Sequence, residues 1–319
     1  FQRDTTNTVQ AMVGVKTGGI ADGFGLVSLA DDCNSGGMVF KGNIDVTVTG
    51  GGIFSNSCID IRGASGEVHA ADNPGIKCHS DTGSAEQCYE RKGNPDKNPV
   101  TPDPQGTTAK IDPSAYDIPG VEETCNALKA SRKNPPPTSH DGGTYYDYGY
   151  YTNGINLGEG SSVYLNAGLY CIDGGIGVGG NNTISSVGGV TLYFINGGLD
   201  IGGNNGNGNG KGNGNKNPSK VTLQAPTGTT NYGVPGLLIY FAKTNPSTLD
   251  LRGTADSLLT GTILVPKGSV ELGGNSTLSE PVKGQVIAYN VNMHGTPGLT
   301  INYDGSKTYK GAATLDLLR

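Results

Sequence analysis

Leu249-Asp250-Leu251-Arg252-Gly253-Thr254 is followed by Val270-Glu271-Leu272-Gly273-Gly274-Asn275, and the two stretches are one phrase written twice. The phrase is apolar, any residue, apolar, any residue, Gly, then usually Asn or Thr. Further copies are Met38-Val39-Phe40-Lys41-Gly42-Asn43, Ile59-Asp60-Ile61-Arg62-Gly63-Ala64, Ile176-Gly177-Val178-Gly179-Gly180-Asn181, Leu199-Asp200-Ile201-Gly202-Gly203-Asn204 and Val291-Asn292-Met293-His294-Gly295-Thr296. The Gly advances from 42 to 63, 180 to 203, 253 to 274 and 274 to 295, steps of 21, 23, 21 and 21 residues. Recurrence at such a period marks a solenoid.

Two apolar residues at i and i+2 lie on the same side of a strand, so both enter a core while the residue between them faces out. The Gly-Asn or Gly-Thr that follows turns the chain, since Gly reaches positive φ without penalty and Asn tolerates it. Further apolar runs come after the corner: residues 187–195 (VGGVTLYFI), 236–241 (GLLIYF), 261–266 (GTILVP) and 283–289 (KGQVIAY). Three strands per turn make a coil that cannot bury its apolar face alone, so coils must stack and pair in parallel. The expected fold is all-β, a parallel β-helix, with Ile176, Val178, Leu199, Ile201, Leu249, Leu251, Val270, Leu272, Val291 and Met293 pointing inward.

Composition agrees. The 54 Gly fall at corners in register and Pro is ordinary at 17, which argues against disorder or collagen. With 15 Tyr, 6 Phe and no Trp there is little bulk for a globular core, and the one amphipathic helix in view is 121–131 (VEETCNALKAS). A net charge of −6 offers no basic patch, so nucleic acid is not an expected partner. No apolar run reaches the roughly 20 residues that span a bilayer. Phe1-Gln2-Arg3-Asp4 does not read as a signal peptide, so the chain is expected to be a processed segment whose anchor, if any, lies upstream.

Six cysteines without CxxC pairs argue against zinc and for an oxidising, extracellular compartment. Cys33 and Cys58 each precede a copy of the phrase and can sit on neighbouring coils, Cys78 and Cys88 close a short loop, and Cys125 is left with Cys171.

Along the chain, residues 1–16 read as an N-terminal arm whose alternating part, 8–16, is a half-buried strand. Residues 17–73 carry the first coils, 74–147 a Pro-rich, disulfide-stapled insertion, and 148–319 the main coils. The stretch 202–217 (GGNNGNGNGKGNGNKN) reads as a surface loop, since it lacks the Asp of a glycine-rich calcium repeat. Neither end of the stack carries an obvious cap. The strand at 8–16 is expected either to fold back as one or to pair with a neighbouring subunit.

The phrases GGGIFSNSC (50–58), IDPSAYDIPG (111–120) followed by Cys125, GLYCIDGGIGVGGN (168–181), GVTLYFINGGLDIGGN (189–204), VTLQAP (221–226) and GTILVP (261–266) resemble the repeat region of TadG-like proteins. These are surface proteins linked to tight-adherence (Flp) pilus systems, and the resemblance covers most of residues 20–303. It implies a pilus or cell-surface setting and supplies no catalytic residues. Family members usually carry an N-terminal membrane helix, and some a von Willebrand A domain; neither is in this sequence.

The register itself produces the strongest constellation. The outward slot between the two apolar residues is filled by Gly177, Asp200, Asp250, Glu271 and Asn292, so stacking places three carboxylates on adjacent rungs about 4.8 Å apart. With Arg252 they form a possible cation or ligand stripe, where a β-helical polysaccharide lyase would do its chemistry; the plainer reading is a solvated face. Tyr145, Tyr146, Tyr148, Tyr150 and Tyr151 could form an aromatic contact surface or cover an open end of the stack. His69, His79, His140 and His294 are scattered and support no Ser/His/Asp set. The Asn181 and Asn275 sequons fall at corners that already call for Asn. No cofactor and no metal is expected. The reading is an extracellular structural protein, not an enzyme, that self-associates or joins pilus components; the alternative is a polysaccharide lyase or hydrolase.

Overall fold

The computed structural model describes residues 12–16, 21–34, 36–70, 72–92, 99–157, 160–178, 182–201, 220–252, 257–274, 277–295, 298–311 and 314–318. The fold is all-β and overwhelmingly parallel, with one α-helix among the described residues, Val121–Ser131 (α1). The expected loop at 202–217 lies outside the described residues, as do Asn181 and Asn275.

The paired apolar positions of the repeat do enter the core. Ile176, Val178, Leu199, Ile201, Leu249, Leu251, Val270, Leu272, Val291 and Met293 are each at most 4% exposed. Their strands form a first parallel ladder, in which Ile155, Ile176, Leu199, Leu249, Val270, Val291, Met38, Ile59 and Tyr89 succeed one another in register. A second ladder takes the segments after the Gly corner, including residues 163–165, 184–185, 221–224, 258–260, 298–302, 45–49 and 65–69. The third runs Tyr150, Cys171, Tyr193, Tyr240, Leu264, Ile287, Val27, Phe54, Lys77, Gln105.

The third ladder explains the continuous apolar runs. A strand covered on one face alternates, whereas one covered on both does not. Leu237–Phe241 is buried at every position. One set of its side chains faces the main core. The other, with Val27, Phe54, Tyr150, Cys171, Tyr193, Tyr240, Leu264 and Ile287, forms a second core beneath Tyr116, Ile118 and the Val121, Cys125 and Leu128 face of α1.

The order of the rungs is not the order of the chain. Residues 291–295 pair with 38–42, and 298–302 with 45–49, so the N-terminal strands continue the stack beyond the C-terminal ones. Leu29 N donates to Ala288 O at 2.8 Å and Tyr303 N to Thr49 O at 2.8 Å across this seam. Gln285, 1% exposed, donates to Ala21 O at 2.8 Å and Phe24 O at 2.7 Å. Corner sterics are strict here: Gly42 has φ +99°, and a Cβ on it would lie 2.2 Å from Gly295 O.

Two expectations about the ends are corrected. Within the expected strand at 8–16, Met12–Lys16 does not join the ladders as a cap but pairs antiparallel with Thr314–Leu318 of the same chain in a separate two-stranded sheet, and residues 8–11 lie outside the described residues. The termini meet because the chain enters the third ladder at Phe24 beside the point where it leaves the second at Asn302; Gly23 N donates to Tyr303 Oη at 2.9 Å. One end of the stack also has a cover, since Thr138–His140 lies antiparallel on Gly143–Tyr146.

The pattern does not lapse at residue 74. Ile76–His79, Tyr89–Arg91, Val100–Thr101 and Gln105–Thr107 extend the ladders as short strands. Residues 108–142 then run back along the outside of the third ladder to the opposite end. Ile111 bonds Asn56 in both directions at 2.8 Å, Tyr116 O accepts from Tyr240 Oη at 3.1 Å, Cys125 joins Cys171, and Lys133 bridges Tyr150. The disulfides are Cys33–Cys58, Cys78–Cys88 and Cys125–Cys171, as the spacing suggests. No helix among the described residues is long and apolar enough to cross a membrane.

Candidate functional site

The carboxylates expected on adjacent rungs are in register. Gly177, Asp200, Asp250, Glu271 and Asn292 follow one another between the core-facing residues of the first ladder, and beyond the seam the same slot continues as Val39, Asp60 and Glu90. Two residues further along each strand runs a second column: Arg252, Gly273, His294, Lys41 and Arg62. Across the seam the N-terminal copies of the repeat add Lys41 and Arg62 to this second column.

Several of these carboxylates have polar or charged partners. Asp60 is ion-paired with Arg62, and its hydrogen bond, then its charge, raises the guanidinium above its ordinary pKa. Lys92 lies 3.1 Å from Glu90. Glu271 accepts from Asn292 Nδ2 at 2.7 Å, with His294 Nδ1 3.7 Å from its other oxygen. An opposite charge at i+2 relieves Asp60 and Glu90 at rung spacing, where unrelieved like charges would repel. No group of three or more His, Cys, Asp or Glu among the described residues is arranged to hold a metal ion.

The five tyrosines do not form one surface. Tyr150 and Tyr151 are buried at 3% and 4% exposure, the first against α1 and the second in the main core stacked on Tyr170. Burial raises both phenol pKa values. Tyr146 and Tyr148 pack against the core, and Tyr145 stacks between His140 and Tyr164 at 3.7 and 4.7 Å. Alternation along residues 143–152 divides the cluster, since the strand pairs there turn successive rings to opposite sides.

Sequence reasoning missed a groove of about 410 Å³ between α1 and the third ladder, lined by Asp117, Glu122, Lys129, Asp173, Asn196 and Lys243. Lys243 reaches Asp117 at 2.9 Å. Asp173 accepts from Asn196 at 2.8 Å and Tyr150 Oη at 2.9 Å, in that order the causes of its lowered pKa. The Cys125–Cys171 pairing was the signal for it, because that bond brings residues 117–129 onto residues 173–196.

Each histidine lies beside a carboxylate: His69 by Glu67, His79 by Asp81, His140 by Asp141 and His294 by Glu271. The serine hydroxyls that line the same cleft as His79 donate elsewhere, Ser80 Oγ to Ser84 O at 2.9 Å and Ser57 Oγ to Gly36 O at 3.3 Å. No family model, curated protein or solved structure matches the chain.

Proposed function

We propose that the three ladders are the sides of one β-solenoid and that the protein is an extracellular structural component of the cell surface, pilus-associated or building a fibre or adhesive layer. The observation that carries this is the unbroken parallel register through nine rungs of the first ladder, from Ile155 to Tyr89, in a chain stapled by three disulfides. Long parallel ladders and disulfides suit a protein that holds shape outside the cell. Carboxylates tied to Arg62, Lys92 and Asn292 fit a surface better than an acid–base centre. The pilus setting rests on the resemblance to the TadG-like repeat region.

Assembly would join unlike ends. Tyr89–Arg91, Val100–Thr101 and Gln105–Thr107 close the stack as short strands, while the opposite end is overlaid by Thr138–His140. A contact between unlike ends is heterologous and can propagate. Negative-stain imaging with sedimentation across a concentration series tests this, with filaments of uniform width expected. Monomers at every concentration would sink the self-assembly reading, and calcium-dependent release of unsaturated sugars from polygalacturonate, lost in Asp250→Asn, would sink the non-enzymatic one.

A further inference from the structure

Among the described residues the large apolar side chains left exposed are Val187 and Tyr232, and Tyr232 is the more open at 58%. Its backbone is as unusual as its exposure. Asn231 and Tyr232 adopt φ +48° and +66°, consecutive left-handed residues. Asn tolerates that region, whereas an aromatic residue is strained there. Gly233, which would relieve the strain one position earlier, has an ordinary φ of −59°.

Hydrogen bonds on both flanks tie down the turn. Asn231 Nδ2 donates to Ala167 O at 3.0 Å. Val234 N donates to Thr191 Oγ1 at 3.0 Å, and that hydroxyl donates in turn to Leu237 O at 2.9 Å. Gly236 N donates to Pro226 O at 2.8 Å. Tyr148 braces the ring at 6.1 Å between centroids and is itself held by Arg132 at 4.2 Å. Backbone strain at an exposed aromatic residue, in a turn tied down on both flanks, is a feature that clusters at ligand clamps.

Beside the ring lies a cleft of about 330 Å³, lined by residues that include Pro119, Val121, Thr124, Leu169, Thr229 and Val234. No charged residue lines it, in a chain that carries 50 (22 Lys and Arg, 28 Asp and Glu). Its polar atoms are hydroxyls and backbone groups; Thr124 Oγ1 donates to Gly120 O at 2.6 Å and keeps its lone pairs as acceptors.

We propose that this cleft binds a neutral pyranoside, the C–H face of the sugar stacking on Tyr232 and its rim hydroxyls meeting Thr124 and Thr229. No cationic side chain lines it, and the positive end of α1 at Gly120 and Val121 is offset by Glu122 and Glu123 in the same turn, so phosphates and uronic acids gain no counter-charge. A rigid ring with a polar tip matches a ligand that is apolar on its faces and hydroxylated at its edge. The volume is at the small end for ligand clefts, enough for a single sugar unit of a longer glycan. The proposal deepens the cell-surface reading, since neutral glycans are what such a protein would meet, but binding does not depend on assembly.

The test titrates the full chain with cellohexaose, maltohexaose and mannohexaose, using saturation-transfer NMR and tyrosine fluorescence, which no Trp obscures. Polygalacturonate and a proline-rich peptide serve as comparators. The expected result is a Kd of about 1 mM or tighter for at least one neutral hexasaccharide. Tyr232→Gly should weaken it at least tenfold while its Tm stays at or above the parent's, because Gly removes the strain; Tyr232→Phe should still bind. The proposal is overturned if no neutral sugar binds, if Tyr232→Gly binds like the parent, if a comparator binds in place of the sugars, or if Tyr232→Gly melts lower, which would make the ring a packing element. Filaments that bind no sugar would remove this proposal alone, and monomers that bind sugar would remove only the assembly reading.

Discussion

Phe40→Ala tests the order of the rungs. Phe40 is fully buried, opposite Met293 on one side of its strand and Ile61 on the other, so it sits in the seam where the two ends of the sequence join. Removing a buried Phe side chain costs about 3–5 kcal/mol. Native stability totals roughly 5–15 kcal/mol, so the seam should open well before the rest. On the proposed solenoid reading, in which rungs pair chiefly with their neighbours, the loss stays local. Hydrogen exchange read by mass spectrometry should then speed up about a thousandfold, the equivalent of roughly 4 kcal/mol, in residues 24–69 and also in 285–302. Residues 163–196 lie beyond the rungs at 199–201, 249–252 and 270–274 and should keep their protection. Faster exchange confined to 24–69 would refute the seam. Equal acceleration at 163–196 would refute the nearest-neighbour argument.

Three further outcomes are expected. Gly42→Ala should cost about 1–3 kcal/mol through strain at φ +99° and contact with Gly295 O, seen as a lower urea midpoint with an unchanged m-value; an unchanged midpoint would mean that the corner relaxes freely. Replacing Cys125 and Cys171 together by Ser opens a crosslink of sequence separation 46, about 4 kcal/mol by chain entropy, and should expose α1 to trypsin at Lys129; resistance equal to the parent's would show that packing alone holds the helix. Burial raises the pKa of Tyr116, Tyr151, Tyr170, Tyr193 and Tyr240, the last to about 12. A folded-state value above the unfolded value of about 10 leaves stability intact below that pH and removes it as pH rises further. Of the 15 tyrosines, these five should therefore add their absorbance at 295 nm only as circular dichroism is lost in alkali, and a full 15-tyrosine absorbance change near pH 10 with the fold intact would contradict the burial.

Most of what repeats was readable. Leu249 and Leu251, or Val270 and Leu272, announce an inward pair by their spacing, and the Gly that follows announces a corner. The helix over residues 121–131 is legible from Val121, Cys125 and Leu128, which recur on one face. Residues 76–107 were harder, because strands of two to four residues flanked by Pro carry too little alternation to register as a period. Tyr232 could not be found at all. A left-handed backbone at a Tyr is set by Asn231, Thr191 and Tyr148 around it, none of which is a turn signal in the sequence.

The seam was illegible for a different reason. A parallel ladder asks only that apolar pairs stand in register with the rung above, and Met38-Val39-Phe40 suits Val291-Asn292-Met293 as well as it suits Ile59-Asp60-Ile61, so local pattern leaves the order of stacking open. What fixes it lies outside the repeats. Residues 108–142 must travel from the rung of Gln105–Thr107 to that of Gly143–Tyr146, and their contacts fall in spatial order along the third ladder: Asn56, then Tyr240, Cys171 and Tyr150. With the two ends of the ladders tied together by this segment, the chain enters at Phe24 beside the point where it leaves at Asn302. The N-terminal strands thus have no partner on one side until residues 285–302 are in place. Met12–Lys16 and Thr314–Leu318, which flank these strands in sequence, also pair with each other, so the two ends of the described chain are joined a second time.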